Sequence, residues 1–188
     1  MPNNIIITGD KYAGKSTIVR NLLDNLDIRP GGFIVKSTGK VDQWLSFYLV
    51  DAINYNNNKK QINKFKTKNH VFAKRDQSNL KWQIYPQVFN NKGVELLKKG
   101  FISRTIIVMD ELGRFELKAH KFKAEVYQIL DSKKPVLAVL KDEHNEFLDK
   151  IRKRDDINIY RVKKDNRKYI FESVYKILKT LIENKKRE

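Results

Sequence analysis

The sequence predicts an α/β fold in three layers, with helices on both faces of a mostly parallel central sheet. Two observations carry this prediction. Short apolar runs at residues 5–8, 104–109 and 135–140 suit parallel strands that are covered on both faces. Between these runs, apolar residues recur at the spacing of helices that connect parallel strands. A chain of 188 residues with 40% hydrophobic residues is long enough to bury the core of one such domain.

The first half of the chain begins with a strand and a glycine-rich loop, followed by a helix whose apolar stripe includes Ile18 and Leu22. Pro30, Gly31 and Gly32 then stop and turn the chain. The next segment is rich in β-branched and aromatic residues, which favours an antiparallel hairpin. The elements expected after the first helix are a hairpin at residues 33–53 with its turn near Gly39, a polar excursion around 54–70, and weak strands at 71–73 and 81–85.

The second half alternates helices with buried strands. Pro86 opens its first helix, because proline is tolerated in the first helical turn. We find no internal repeat and no linker, so a single domain spanning residues 1–188 is expected. The predicted elements are helices at 86–100, 122–130, 147–151 and 170–181, which alternate with strands at 104–109, 135–140 and 157–162.

The composition limits the class of protein. There is no cysteine, which excludes disulfides and cysteine-ligated zinc. The first residues show no basic stretch followed by an apolar run, and no segment approaches the ~20 apolar residues that a membrane span needs. His70, His120 and His144 have no spacing typical of metal ligands. We therefore expect a cytoplasmic protein without a membrane partner.

The net charge of +17 allows two interpretations. A basic surface gains affinity for nucleic acid by releasing counterions from phosphates, so RNA or DNA is a candidate partner. The lysines are nevertheless scattered rather than gathered on one periodic face, and no RNA- or DNA-binding motif accompanies them. Lysine, asparagine and isoleucine are abundant throughout, as in proteins from AT-rich genomes. Part of the charge would also suit a nucleotide, which is itself an anion.

The stretch GDKYAGKS, residues 9–16, has the spacing of a P-loop, the phosphate-binding loop of many nucleotide-binding proteins. An apolar strand precedes it and a helical stripe follows it, as the motif requires. Its backbone N–H groups would surround an anion at the helix N-terminus, Lys15 would bridge the β- and γ-phosphates, and the Ser16 hydroxyl would bind Mg²⁺. The residues expected to bind the nucleotide are Gly9, Asp10, Lys11, Tyr12, Ala13, Gly14, Lys15, Ser16 and Thr17.

A second motif ends the apolar run at 104–109. Asp110 would stand at the carboxyl edge of the sheet and bind Mg²⁺ together with Ser16. Glu111 follows directly, and an acid at this position orients the water that attacks the γ-phosphate. A kinase would avoid a water there, because hydrolysis competes with phosphate transfer. Glu111 and Lys15 are therefore the predicted catalytic residues.

The stretch DELGRFELKAHKF, residues 110–122, resembles the signature of the thermophilic and cancer-related nucleoside-triphosphatase family. The segment GGFIV from Gly31 resembles the family's hairpin, PVLAVL from Pro135 its third core strand, and Asn166-Arg167 its late Asn-Arg pair. The resemblance implies a RecA-like core of the additional-strand, catalytic-glutamate division. It further implies hydrolysis of ATP, GTP and other nucleoside triphosphates to diphosphates, with Mg²⁺ and little discrimination between bases.

Some positions depart from the family pattern or stay open. Ala13 stands where the family usually has a second glycine, and Lys168 follows Asn-Arg where the family has aspartate. The polar pair that follows the family's hairpin phenylalanine is replaced by the segment 35–37. Glu116 would orient Lys15, Arg167 or the catalytic water, or would simply be a carboxylate at a helix start. The candidates for a γ-phosphate-binding arginine are Arg114, Arg152, Arg154 and Arg167.

Two other functions remain open at this stage. The same P-loop core supports a nucleotide or small-molecule kinase, although no arginine cluster resembles the lid that such a kinase needs. The net charge of +17 also allows a nucleotide-gated RNA- or DNA-binding ATPase. Trp44, Phe47 and Tyr48 on the hairpin would stack on a base or, as most aromatic residues do, pack in the core.

Overall fold

The computed structural model describes residues 2–40, 43–55 and 69–185, so most of the predicted excursion around 54–70 lies outside the described residues. No helix in these ranges is long and apolar enough to cross a membrane. The strands are β1 (Asn4–Thr8), β2 (Gly31–Lys40), β3 (Gln43–Asp51), β4 (Val71–Arg75), β5 (Trp82–Ile84), β6 (Ile107–Leu112), β7 (Val136–Leu140) and β8 (Ile157–Arg161). The longer helices are α1 (Lys15–Asn25), α2 (Val94–Ser103), α3 (His120–Leu130), α4 (Glu146–Arg152) and α5 (Arg167–Lys185). A short helical turn, Pro86–Val88, and a π-helical segment, Phe89–Gly93, lead into α2.

These strands form one sheet in the order β5-β4-β3-β2-β6-β7-β1-β8. Pairing is parallel between β2, β6, β7, β1 and β8, and antiparallel from β2 through β5. The predicted mostly parallel sheet with an antiparallel hairpin after the first helix is thus confirmed. β7 lies between β1 and β6, which places these two strands roughly 10 Å apart with their carboxyl ends on the same edge. The P-loop and the acidic motif therefore meet at that edge.

Successive side chains of the parallel strands point to opposite faces of the sheet, and each face has its own hydrophobic core. Ile5 and Ile7 point to the face that α1 and α5 cover, where they join Leu22 and Val174. Ile6 points to the opposite face, which α2, α3 and α4 cover. Burial on both faces explains why these strands read as continuous apolar runs. The layer arrangement agrees with the predicted fold class.

Two elements near the site have bounds that differ from the predicted ones. β6 spans Ile107–Leu112 rather than 104–109, because its pairing with β7 starts at Ile107 and continues to Leu112. The acidic motif therefore lies within the strand instead of beyond it. The helix predicted to end at 100 continues through α2 to Ser103. Gly100 does not end it; a Cβ there would stand 2.5 Å from the Gly32 nitrogen, so this glycine allows α2 to approach β2 closely.

Candidate active site

The P-loop connects β1 to α1 through a backbone path that requires positive φ angles. Gly9, Tyr12 and Gly14 have φ values of 134°, 65° and 97°. A Cβ at Gly9 would lie 2.4 Å from the Val162 carbonyl oxygen, so only glycine fits there. The first helical hydrogen bond runs from the Ile18 N–H to the Gly14 oxygen at 3.0 Å. The amides of residues 15–17 consequently lie outside the helix's own hydrogen-bond ladder, where an anion can accept from them.

Lys15 lies against the loop that carries it. Its Nζ donates to the carbonyl oxygens of Gly9 at 2.7 Å and Asp10 at 2.8 Å. Burial lowers the pKa of Lys15, and the negative charges of Glu111 and Asp110 partly oppose this effect. Asp142 and Asp10 oppose it as well, so Lys15 lies in a negatively charged environment at this edge of the sheet.

β6 carries a bulge at the acidic motif. Met109 pairs with Ala138 and Leu112 with Leu140, so Asp110 and Glu111 together face a single residue of β7. Glu111 has a φ of 56°, which is unusual for a residue with a side chain. Sequence reasoning missed this bulge because Asp-Glu after an apolar run is equally compatible with a regular strand end. We call Met109–Leu112 the acidic bulge.

Asp110 is buried, with only 8% of its surface exposed. Its Oδ2 accepts a hydrogen bond from the Val35 N–H at 3.2 Å, whereas its Oδ1 is buried without a hydrogen-bond partner among the described residues. Burial and the neighbouring Glu111 charge raise the pKa of Asp110. A buried carboxylate oxygen without a donor is suited to a cation, because a cation would supply the missing interaction.

Glu111 is more accessible than Asp110. Its side chain is 37% exposed, and its Oε2 lies 3.8 Å from the Lys141 Nζ. This separation is longer than a hydrogen bond, so the contact is electrostatic. The carboxylate keeps hydrogen-bonding capacity for a water molecule. Glu111 thus has the exposure that a water-orienting group needs.

Glu116 is almost fully buried and is the last residue of a short helical turn, Arg114–Glu116, in which it caps the N-terminal end at Gly113. Its Oε2 accepts from the Gly113 N–H at 2.9 Å, and burial raises the pKa of its carboxyl to about 7. This contact matches the helix-start carboxylate, one of the two alternatives that the sequence left open. Glu116 thereby fixes the chain directly after the acidic bulge.

The candidate arginines have different surroundings. Arg167 is the first residue of α5, and its Nε donates to the Ala13 oxygen at 2.7 Å. This hydrogen bond stabilises the backbone of the P-loop.

Among the described residues, the partners of the other three arginines lie outside the P-loop. Arg114 is exposed, with Nη1 4.0 Å from Glu143 Oε2. Arg152 donates to Asp149 at 2.8 Å and to the Lys141 oxygen at 2.9 Å. Arg154 pairs with Asp156, which contacts Asn4 at the opposite end of β1. Arg154 is therefore at the wrong edge of the sheet for the phosphates.

Three functional candidates at the same edge were missed by sequence reasoning. Lys141 and Asp142 directly follow β7, and Arg161 ends β8. Arg161 bridges Asp142 and Asp10, the latter at 3.3 Å, and so connects the P-loop to the end of β7. A signal was present in the sequence, because polar residues that follow buried parallel strands gather at one edge.

The hairpin aromatics pack in the core. Phe47 contacts Phe72, Trp82 and Phe115 with ring centroids 5.0–6.0 Å apart, and Tyr48 is buried. The Trp44 side chain lies outside the described residues. Among the described residues, no group of three or more histidine or acidic side chains is arranged to hold a metal ion.

Comparison with known proteins identifies the family. The model of a family described as NTPase matches residues 4–175. The chain belongs to this NTPase family. It is 26% identical to the nucleoside-triphosphatase THEP1 of Thermotoga maritima, with 93% of this chain and 95% of that protein aligned. The THEP1 of Methanocaldococcus jannaschii is 29% identical, with 90% and 94% aligned.

A solved structure shows the same fold. The crystal structure of THEP1 from the hyperthermophile Aquifex aeolicus superposes with a TM-score of 0.69 at 22% identity. The superposition covers 91% of this chain and 96% of that one. The resemblance identified from residues 110–122, the P-loop NTPase fold and the nucleoside-triphosphatase class are thereby confirmed.

Proposed function

We propose that this chain is a Mg²⁺-dependent hydrolase that converts nucleoside triphosphates to diphosphates and phosphate, with little discrimination between bases. One observation carries the proposal: the strand order β6-β7-β1 brings Lys15 of the P-loop to the same edge of the sheet as Asp110 and Glu111. These are the three functional groups that triphosphate hydrolysis on a P-loop requires. The relatives named nucleoside-triphosphatase support the same substrate class.

The triphosphate would bind at the P-loop. The amides of residues 15–17 at the start of α1 donate to phosphate oxygens, where the positive end of the helix dipole also favours an anion. Lys15 would exchange its contacts to the Gly9 and Asp10 oxygens for the β- and γ-phosphates. A lysine already held within the loop needs only a small movement of its ammonium to do this.

Ser16 and Asp110 would hold the magnesium ion. The unpartnered Oδ1 of Asp110 fits this role, because carboxylate and hydroxyl oxygens are the ligands that Mg²⁺ prefers. When bound, the ion neutralises charge on the β- and γ-phosphates. Asp110 is fixed for this task by the Val35 N–H, which holds its other oxygen.

Glu111 would orient the attacking water. Its carboxylate accepts a hydrogen bond from that water and takes up the proton that the water loses. The water oxygen forms a bond to the γ-phosphorus while the bond from γ-phosphorus to the β–γ bridging oxygen breaks, and the nucleoside diphosphate leaves with that oxygen. β7 lies between β1 and β6, the position that the additional strand would have in the proposed RecA-like arrangement. The separation of about 10 Å between β1 and β6 leaves room for the triphosphate between the P-loop and Glu111.

A phosphate-release panel tests the proposal. ATP, GTP, CTP and UTP are each supplied with Mg²⁺ or with EDTA, in the presence and absence of RNA, and without any phosphate acceptor. We expect Mg²⁺-dependent release from all four nucleotides. Glu111→Gln should retain nucleotide binding and lose about 10²- to 10⁴-fold in kcat, the range for a general base. Glu95→Gln, which changes an exposed acid on α2, is the matched control.

Other outcomes would redirect the assignment. Release only after a nucleoside or nucleotide acceptor is added would identify a kinase. Release that depends on RNA at physiological salt would favour the nucleic-acid-binding ATPase, whereas an effect of RNA only at low salt would reflect nonspecific attraction. Full activity of Glu111→Gln would mean that another group orients the water.

A further inference from the structure

Lys141 follows β7 at a point where its backbone is fixed on both sides. Its N–H donates to the Leu112 oxygen of β6 at 2.9 Å, and its carbonyl oxygen accepts from Arg152 Nη2 of α4 at 2.9 Å. These two bonds tie its Cα to the end of the acidic bulge. The backbone of Lys141 thus has a defined position beside the acidic bulge that carries Glu111.

The Lys141 side chain is also confined. Its stem passes over Gly113, since a Cβ on that glycine would lie 2.8 Å from Lys141 Cδ. Its ammonium lies 4.9 Å from the centroid of Phe115 and 5.8 Å from that of Phe47, within cation–π range of both rings. Phe115 is buried and packs against Phe47. The rings therefore provide a rigid support for the charge.

The position of this ammonium matters because Glu111 has few other constraints. Glu111 lies on the bulge with a positive φ and a partly exposed side chain. The ammonium is 3.8 Å from its Oε2, close enough to attract the carboxylate and long enough to leave its hydrogen-bonding capacity for water. The positive charge of Lys141 also lowers the pKa of Asp110 and of Glu116, which partly opposes the effect of their burial.

We propose that Lys141 is a positioning residue that holds the Glu111 carboxylate in its water-orienting geometry. This inference rests on the proposed hydrolysis. It assigns a reason to Gly113, whose missing side chain leaves room for the lysine stem. Because a misplacement of about 1 Å in a reacting group costs up to ~10²-fold in rate, loss of the ammonium should act on kcat.

A double-mutant cycle tests the proposal. Lys141→Met keeps the stem over Gly113 and removes the charge, and Lys141→Arg keeps the charge. Lys150→Met is the matched control, since the Lys150 ammonium on α4 also lies over an aromatic ring, Tyr127, at 4.6 Å from its centroid. Each variant is made in the wild-type and Glu111→Gln backgrounds. Phosphate release from γ-labelled ATP is measured in the steady state, which gives kcat and KM, and under single turnover with excess protein for the slow Glu111→Gln variants, and thermal unfolding is recorded for each.

We expect Lys141→Met to lower kcat about 10- to 100-fold with KM for ATP within about twofold. Lys141→Arg should recover most of the rate, and Lys150→Met should match wild type. In the Glu111→Gln background, Lys141→Met should cause no further loss, because the lysine acts through the glutamate.

Three kinetic results would overturn this role. They are an unchanged kcat for Lys141→Met, an equal fractional loss in both backgrounds, or a rise in KM alone, which would indicate substrate binding. The proposed function fails separately, if wild type releases no phosphate or Glu111→Gln remains fully active. A loss of kcat accompanied by unfolding, and not recovered by Lys141→Arg, would assign Lys141 to stability and also contradict the proposal.

Discussion

The P-loop and the acidic bulge lie at the same edge of the sheet but are built differently. The P-loop presents mainly backbone groups: its path is set by Gly9 and Gly14, and its amides begin α1. The acidic bulge presents side chains, and Asp110 with the adjoining Glu116 is buried. Backbone dipoles in a loop cost little to organise at the surface, whereas buried carboxylates lose hydration.

This difference predicts how each half responds to change. In the P-loop, most side chains should matter little to folding, and the binding of the triphosphate should depend on one cation. In the acidic half, substitution of Asp110 should alter both catalysis and stability, because this carboxylate would hold the metal ion and is buried, whereas substitution of the buried Glu116 should alter stability. The following predictions test this contrast, beginning with the largest effect.

The largest effect is expected in the P-loop from Lys15→Ala. Its ammonium is the cation that the loop provides for the β- and γ-phosphates, so we expect a loss of about 10³-fold in kcat/KM and no measurable tight ATP binding. Titration calorimetry and phosphate release measure this. Thermal stability should change little, because the Lys15 side chain bonds only to exposed or half-buried loop carbonyls.

Lys179→Ala, which removes the same charge from the exposed surface of α5, is the control and should behave as wild type. Unchanged ATP affinity in Lys15→Ala would show that the triphosphate binds elsewhere.

The sequence predicted the P-loop more completely than the acidic bulge, for a physical reason. The backbone geometry of the P-loop requires particular residue types at fixed positions. Gly9, Gly14 and Lys15 could therefore be identified from their spacing alone. The bulge depends on which residues of β6 and β7 pair, and one extra residue leaves no mark in composition. Asp110 and Glu111 were identified as residues, but their place inside β6 was not.

The fold itself was largely predictable because the buried strands read as apolar runs. The boundaries that were predicted wrongly depend on contacts between distant segments. Gly100 lies inside α2, where it packs closely against β2, instead of ending the helix, and the pairing of Leu112 with Leu140 extends β6. Lys141 was missed because its role arises from a glutamate thirty residues earlier, which only the folded sheet places beside it.

An effect of intermediate size is expected in the acidic half from Glu116→Gln, and it concerns stability. Burial raises the pKa of Glu116 to about 7 from an ordinary value of 4.5, so between these pH values the native state holds a proton that the unfolded state has lost. Its contribution to stability is present in full below pH 4.5 and is lost as the pH rises through 7. Chemical denaturation from pH 4.5 to 8 measures it.

The glutamine variant cannot ionise, and its amide oxygen can still accept from the Gly113 N–H. Its free energy of unfolding relative to wild type should therefore increase by on the order of 2 kcal/mol from pH 4.5 to pH 8. Glu95→Gln, at an exposed position, should show no such trend. A constant difference between Glu116→Gln and wild type across this range would mean that Glu116 is not affected by its burial.

The smallest effect is expected where α5 supports the P-loop. Arg167 donates to the Ala13 oxygen at 2.7 Å and to the Tyr12 oxygen at 3.3 Å, so it stabilises the loop path. Because Arg167 is exposed, Arg167→Met should raise KM for ATP only about three- to tenfold, with kcat within about twofold. Lys168→Met, at the adjacent exposed position, is the control. Steady-state kinetics therefore separate two roles of this arginine. If kcat instead fell by about two orders of magnitude or more, Arg167 would be the group that stabilises charge on the γ-phosphate, and the backbone half of the site would then also supply a catalytic side chain.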